Sequence, residues 1–263
     1  MLFRMICAML PLCITAQESF ETPAFPFQLL AYAHANTNAL HAADALYSPA
    51  HVQKTRWAVA MGNDFAIPEL STLRTAVQVP LSRGMVSIQG SMGGATLQRQ
   101  WTVLASLVVH TGKSTSLGLG LGSGASHFSG ERSLIAVLMK VSMTQQVTPK
   151  TCMGAIVFLS TPAVGRTAQR RWMDRSVSMS AGHQIREGLF IGVQWRQFQY
   201  RGTMVGGMIK WDISQRLGLS GGYSSNAQLW LGMHVSGKKI SSVLAFASHQ
   251  RLGPSAEFQF FQN

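Results

Sequence analysis

Charged residues are scarce in this chain of 263 residues. They make up 12% of it, against about 25% in an ordinary soluble domain. Long hydrophobic runs are missing too, although 46% of the residues are hydrophobic. The longest apolar stretch, Leu2 to Ala16, is too short to cross a bilayer as a helix and is interrupted by Pro11. The chain is therefore apolar without being a helical membrane protein. Its 25 glycines are spread along the whole length, which argues against a collagen repeat, a disordered chain or a Leu/Ala/Glu-rich helical bundle. An all-β protein remains, soluble or membrane-embedded, of one-domain size.

Cysteine is equally sparse. Cys7 and Cys13 fall in a segment that reads as a secretory signal: Arg4 at its head, an apolar run from Met5 to Leu12, and Thr15-Ala16 before Gln17 as a small-residue cleavage site. Residues 1–16 are thus expected to be removed, with cleavage near Ala16. Only Cys152 then remains, which excludes an internal disulfide and a cysteine metal site. Loss of Arg4 takes the formal charge from +12 to +11. A basic exported chain can meet lipid phosphates or an acidic partner, or carry its charge on solvated rims and loops. No motif points to nucleic acid.

The next stretch, 17–51, is a Pro- and Phe-containing lead followed by Ala-rich helix material from Leu29 to Tyr47, closed by Ser48-Pro49-Ala50. His34, His41 and Asp44 can share one face of that helix. A metal or proton role is conceivable, but solvation of a helix lodged in a polar interior is the simpler role. No other histidines show tight metal-ligand spacing, and no cofactor is implied.

From Val52 to the end the texture is period two. Leu117, Leu119 and Leu121 alternate with glycines; Leu189, Ile191, Val193 and Trp195 alternate with Gly192, Gln194 and Arg196; Leu229, Leu231, Met233 and Val235 alternate with Trp230, Gly232, His234 and Ser236. Such segments recur at 54–64, 72–81, 84–92, 97–111, 114–123, 133–143, 152–160, 175–183, 187–198, 202–212, 216–223, 227–235, 239–248 and 255–262. Fourteen strands of ~10 residues with alternating faces predict an antiparallel transmembrane β-barrel over 52–263 with a short N-terminal luminal helix. Connections after odd strands should be the long ones, above all Ser123 to Arg132 and Ser160 to Asp174; Gln145 to Thr151 is a turn longer than its side of the barrel favours. Alternation alone does not say which face is inside. Trp57, Trp101, Tyr200, Tyr223 and Phe258 lie near expected strand ends, as in an aromatic girdle, and favour the membrane over a soluble β-sandwich. On that phase Gln194, Arg196, Lys210 and His234 point inward.

Enzymatic motifs are lacking. Gly112-Lys113-Ser114 ends like a phosphate-binding loop, but Leu107 stands where its first glycine belongs, so it reads as a β-turn. There is no Gly-x-Ser-x-Gly and no paired carboxylates, and acidic residues total ten. The predicted outer loop 161–175 carries Arg166, Arg170, Arg171 and Arg175 against one acid, Asp174. Arginine forks bind phosphate or carboxylate bidentately, so lipopolysaccharide phosphates or a partner's carboxylate are candidate ligands beside simple solvation.

Ser48-Pro49-Ala50 after the helical segment, Thr161-Pro162, and the run from Gly188 to Phe260 with His249-Gln250-Arg251-Leu252-Gly253 before the last strand resemble the FadL/PorV-type outer-membrane barrels, especially the PorV/PorQ-like proteins of Bacteroidetes. Ser48 stands where the family has Asn. The resemblance covers nearly the whole mature chain through short, degenerate motifs. It implies an outer-membrane location, a non-enzymatic role and an N-terminal segment plugging the lumen. The role it implies first is that of a component or accessory of type IX protein secretion, with secretion proteins or exported cargo as partners. The second is FadL-like uptake of hydrophobic small molecules. A soluble exported binding sandwich is a third reading.

Overall fold

The computed structural model describes residues 56–63, 71–94, 98–112, 114–128, 133–164, 175–199, 202–225, 228–249 and 253–262. The expected signal (1–16), the lead and helix (17–51, with His34, His41 and Asp44), and Arg166, Arg170, Arg171 and Tyr200 lie outside the described residues.

Fourteen antiparallel strands close into one barrel: β1 (Arg56–Asn63), β2 (Ser71–Leu81), β3 (Gly84–Gly94), β4 (Gln98–His110), β5 (Thr115–Phe128), β6 (Leu134–Thr148), β7 (Thr151–Val164), β8 (Ser176–Arg186), β9 (Leu189–Phe198), β10 (Gly202–Asp212), β11 (Leu217–Ser224), β12 (Gln228–Ser236), β13 (Ile240–His249) and β14 (Gly253–Gln262). Each strand pairs with its sequence neighbours, and β14 returns to β1 with Ala58 opposite Phe261. Closure leaves no sheet edge, which is what a strand structure needs inside a bilayer.

Followed once around the barrel, the registers advance the chain by about 14 residues, or about one per strand. With ordinary strand spacing this stagger tilts the strands by about 35° and gives a backbone radius of about 12–13 Å. On the same stagger the end that carries the two chain termini of the barrel is level to within about three residues. The opposite rim is uneven. β4 to β7 are 13–15 residues long against 8–11 for the others, and they rise about four residues above their neighbours. The shortest strands, β1 and β11, have eight residues, so at that tilt the band common to all strands is about 16–20 Å tall, a little less than the apolar band of about 25 Å of a membrane barrel.

The outer surface is apolar. Leu117, Leu119 and Leu121 are 46%, 47% and 55% exposed, while Gly118 and Gly120 between them are buried. The same phase runs through Ile191 and Val193 on β9 and Leu229, Leu231 and Met233 on β12. A β-sandwich would turn these side chains into its core, so the closed barrel overturns that reading.

Strand boundaries depart from the sequence pattern mainly at β5 to β7. β5 runs on to Phe128 and β7 to Val164, so the connections expected from Ser123 and Ser160 begin later. β6 reaches Thr148, and the long turn expected at Gln145 to Thr151 shrinks to residues 149–150, with a register shift between Gln146 and Thr148 absorbing the extra residue. Phe258, expected near a strand end, is the sixth residue of the ten in β14, so it does not belong to a girdle there.

Candidate functional site: the barrel interior

Alternate residues of every strand face the interior, and they are not uniformly polar. The expectation of a polar lumen needs correction, because Leu138, Ile156, Phe158, Phe190, Met208 and Trp230 are all buried on that face. Leu104, Ala136, Leu138 and Phe158 form one apolar cluster on the wall of β4 to β7. Its geometry comes from the glycine row of β5. Gly122 sits opposite Leu104 on one side and Leu138 on the other, so the two leucines flank a position with no side chain. The alternating Leu-Gly run thus offers lipid-type leucines outward and glycines inward, with Gly122 packed close to the Val103 carbonyl of β4.

Charges lie mainly on the rest of the wall. Arg74 on β2 pairs with Glu257 on β14, reaching across β1. Lys210 and Asp212, two residues apart on β10, share the inward face with Nζ 3.3 Å from Oδ1. Gly218 on β11 makes room for that carboxylate, since a Cβ there would lie 2.8 Å from Asp212 Oδ1. His234 Nε2 lies 3.1 Å from Ser236 Oγ on the next inward position of β12. Arg196 lies over the Phe198 ring at 4.5 Å and donates from Nη2 to Ser176 Oγ at 3.2 Å. Lys140 is buried on β6, beside the apolar cluster. Among the described inward residues, four basic side chains thus stand with two acidic ones.

Gln194, Arg196, Lys210 and His234 therefore stand on the inward wall, but they are not gathered into one constellation. They occupy three strands, β9, β10 and β12. Arg175, at the start of β8, is exposed; its carbonyl accepts from Gln199 N at 2.9 Å. Gly112 and Ser114 lie in the turn between β4 and β5, where Thr111 N donates to Thr115 O at 3.0 Å, so no phosphate loop forms. No group of three or more His, Cys, Asp or Glu able to hold a metal occurs among the described residues.

Sequence reasoning missed Arg74, Glu257, Lys140 and Asp212. Each sits on the inward phase of its strand, and carrying the alternation through 72–78 and 255–261 finds the first two. The apolar cluster was hidden because Val103-Leu104, Val137-Leu138-Met139 and Val157-Phe158-Leu159 are apolar on both faces, which erases the alternation.

No family model matches the chain, and no curated protein matches it. Solved structures do match in fold. The Pseudomonas putida toluene transporter TodX superposes with a TM-score of 0.55 at 8% identity, covering 85% of this chain and 90% of its own. A Pseudomonas aeruginosa FadL homologue gives 0.51 at 9% identity, covering 87% and 92%. An outer membrane protein of Acinetobacter baumannii gives 0.51 at 8% identity, covering 80% and 97%. At these identities the likeness is one of architecture: the chain has the fold of closed outer-membrane-type β-barrels, including a toluene transporter and a FadL homologue.

Proposed function

We propose that the protein is an outer-membrane barrel that passes hydrophobic small molecules, in the manner of FadL-type channels, and that it is not an enzyme. The observation carrying this reading is the apolar cluster of Leu104, Ala136, Leu138 and Phe158 on the inner wall, flanking Gly122. A water-filled porin has a polar interior, whereas a wall that contacts apolar cargo gains by burying it. The apolar exterior and the fold shared with a toluene transporter and a FadL homologue support the same reading. The secretion role first implied by the resemblance finds no support in these neighbours, and the uptake role takes its place.

The expected segment 17–51 belongs to this reading as a luminal plug. Buried inward atoms such as Ser87 Oγ and Ser106 Oγ have no hydrogen-bond partner on the described wall and are ready acceptors for an entering polar segment. Arg166, Arg170, Arg171 and Arg175 are proposed to meet lipopolysaccharide phosphates at the uneven rim, where Arg175 is exposed. Changing all four to Gln should weaken lipopolysaccharide binding, and unchanged binding removes that role.

The test of the main reading is titration of the folded, detergent-purified barrel with a fluorescent fatty acid and with toluene. Saturable binding is expected, weakened about tenfold in Leu138→Ser, the scale set by burying one leucine. A folded barrel that binds neither probe, but retains secretion proteins through membrane solubilisation, would restore the secretion role.

A further inference from the structure

Among the described residues, five of the six turns at the level end of the barrel carry basic side chains. Arg83 sits between β2 and β3, Lys150 between β6 and β7, Arg186 at the end of β8, Arg216 between β10 and β11, and Lys238 and Lys239 between β12 and β13. All six are exposed. Glu187 in the β8–β9 turn and Asp212 at the end of β10 are the acids among the described residues of this end. In each case an outward apolar side chain lies within three residues: Leu81, Val147, Ile185, Ile213 and Ile240 are each about half exposed. The apolar belt therefore runs right up to the charges. The turns span two to four residues, so the basic side chains cannot retreat from the edge of that belt. Because the registers level this end, the charges form a ring at one height rather than a scattered set.

We infer that this ring is a collar for anionic lipid, holding phosphate headgroups of the leaflet on the turn side around most of the circumference. Lipid is the occupant because the ring is continuous with the lipid-type surface and is spaced around the barrel instead of being massed on one flank, as a protein-docking patch would be. Lysine and arginine at such a boundary reach the headgroup level while their stems lie along apolar surface. The inference rests on the barrel spanning a membrane.

The test uses the protein reconstituted in phosphatidylcholine vesicles containing brominated phosphatidylglycerol or brominated phosphatidylcholine as quencher. Trp211, on the outer face two residues before the turn at Ile213, reports the level end, and Trp101, on the outer face of β4 near the other rim, serves as the control. Two proteins each keep one of these tryptophans and have Phe at the others. Expected is a preference for phosphatidylglycerol of about fivefold at Trp211 in low salt, vanishing in 1 M salt. It should also vanish in the barrel with all six basic residues changed to Gln, and should be weaker throughout at Trp101. Equal quenching by both lipids at Trp211, or a preference that survives high salt or the six changes, overturns the collar; equal quenching together with retention of an acidic soluble protein would assign the ring to that partner. If the six-fold variant does not fold, the salt dependence of the Trp211 protein decides alone. A protein that does not enter vesicles at all fails the membrane reading, whereas one that enters without headgroup preference fails only the collar.

Discussion

Arg74 on β2 and Glu257 on β14 form an ion pair over the inward face of β1, the strand at which the barrel closes. The Glu257 side chain is fully buried and that of Arg74 is 15% exposed. The pair ties together two strands whose only common neighbour is β1, so it reinforces the seam at which the barrel closes. Gly62 stands directly opposite Glu257 on β1.

Breaking this pair should be costly and replacing it should not. Arg74→Met takes the guanidinium away from a buried carboxylate and is expected to destabilise the barrel by about 3 kcal/mol, the lower end for buried pairs because Arg74 is partly exposed. The double change Arg74→Met, Glu257→Met should recover most of that loss. Urea unfolding followed by the loss of gel heat-shift measures both, and equal destabilisation by the single and double variants would show that the pair itself is not what Arg74 contributes.

The ring of Phe190 on β9 lies across Gly182 on β8, and a Cβ at 182 would stand 2.2 Å from Phe190 Cζ. Gly182→Ala must push the ring aside and is expected to cost about 1–3 kcal/mol. Phe190→Leu in the same chain should relieve part of it, giving a non-additive pair in a double-mutant cycle on unfolding free energy. Additive effects would mean that the ring does not set the constraint.

Arginine introduced on the outer face should report depth. Leu231 is 61% exposed near mid-height on β12, and Ile185 is 48% exposed at the level end. In a bilayer Leu231→Arg is expected to cost about 2–4 kcal/mol and Ile185→Arg about 0–1. Folding titrations in vesicles give both values. Similar small costs at the two depths would mean that water, not lipid, surrounds the barrel.

Fractionation of cells producing the full chain should place it with outer membranes, and it should migrate differently on a gel with and without boiling. Closed barrels resist detergent until heated because every strand is paired on both sides. A soluble protein with no heat shift would remove both the uptake and the collar proposals.

Much of the barrel is legible in the alternation. The segments 202–212 and 84–92 predict β10 and β3 to within two residues at either end, because their outward and inward residues differ sharply in polarity. β5 to β7 are longer than they look, since Gly124, Ala125 and Ser126 on β5 and Thr161 on β7 carry no strong pattern and are held by pairing with β4 and β6. The interior was harder to read. Gln194 and Arg196 fall on a clear polar phase, but Leu138 and Phe158 sit among residues apolar on both faces, where period two vanishes.

Strand number, strand order and the two faces of each strand follow from the sequence by itself, because a period of two in polarity and short turn segments are local properties of the chain. Which face turns outward, the closure of β14 onto β1, the one-residue stagger that levels one rim, and the meeting of Arg74 with Glu257 were decided only by the tertiary structure. Those are relations between residues far apart in sequence, and the same alternation serves a sandwich with its apolar face in and a barrel with its apolar face out. What separates the two is the curvature and register of the whole sheet, which no single strand encodes.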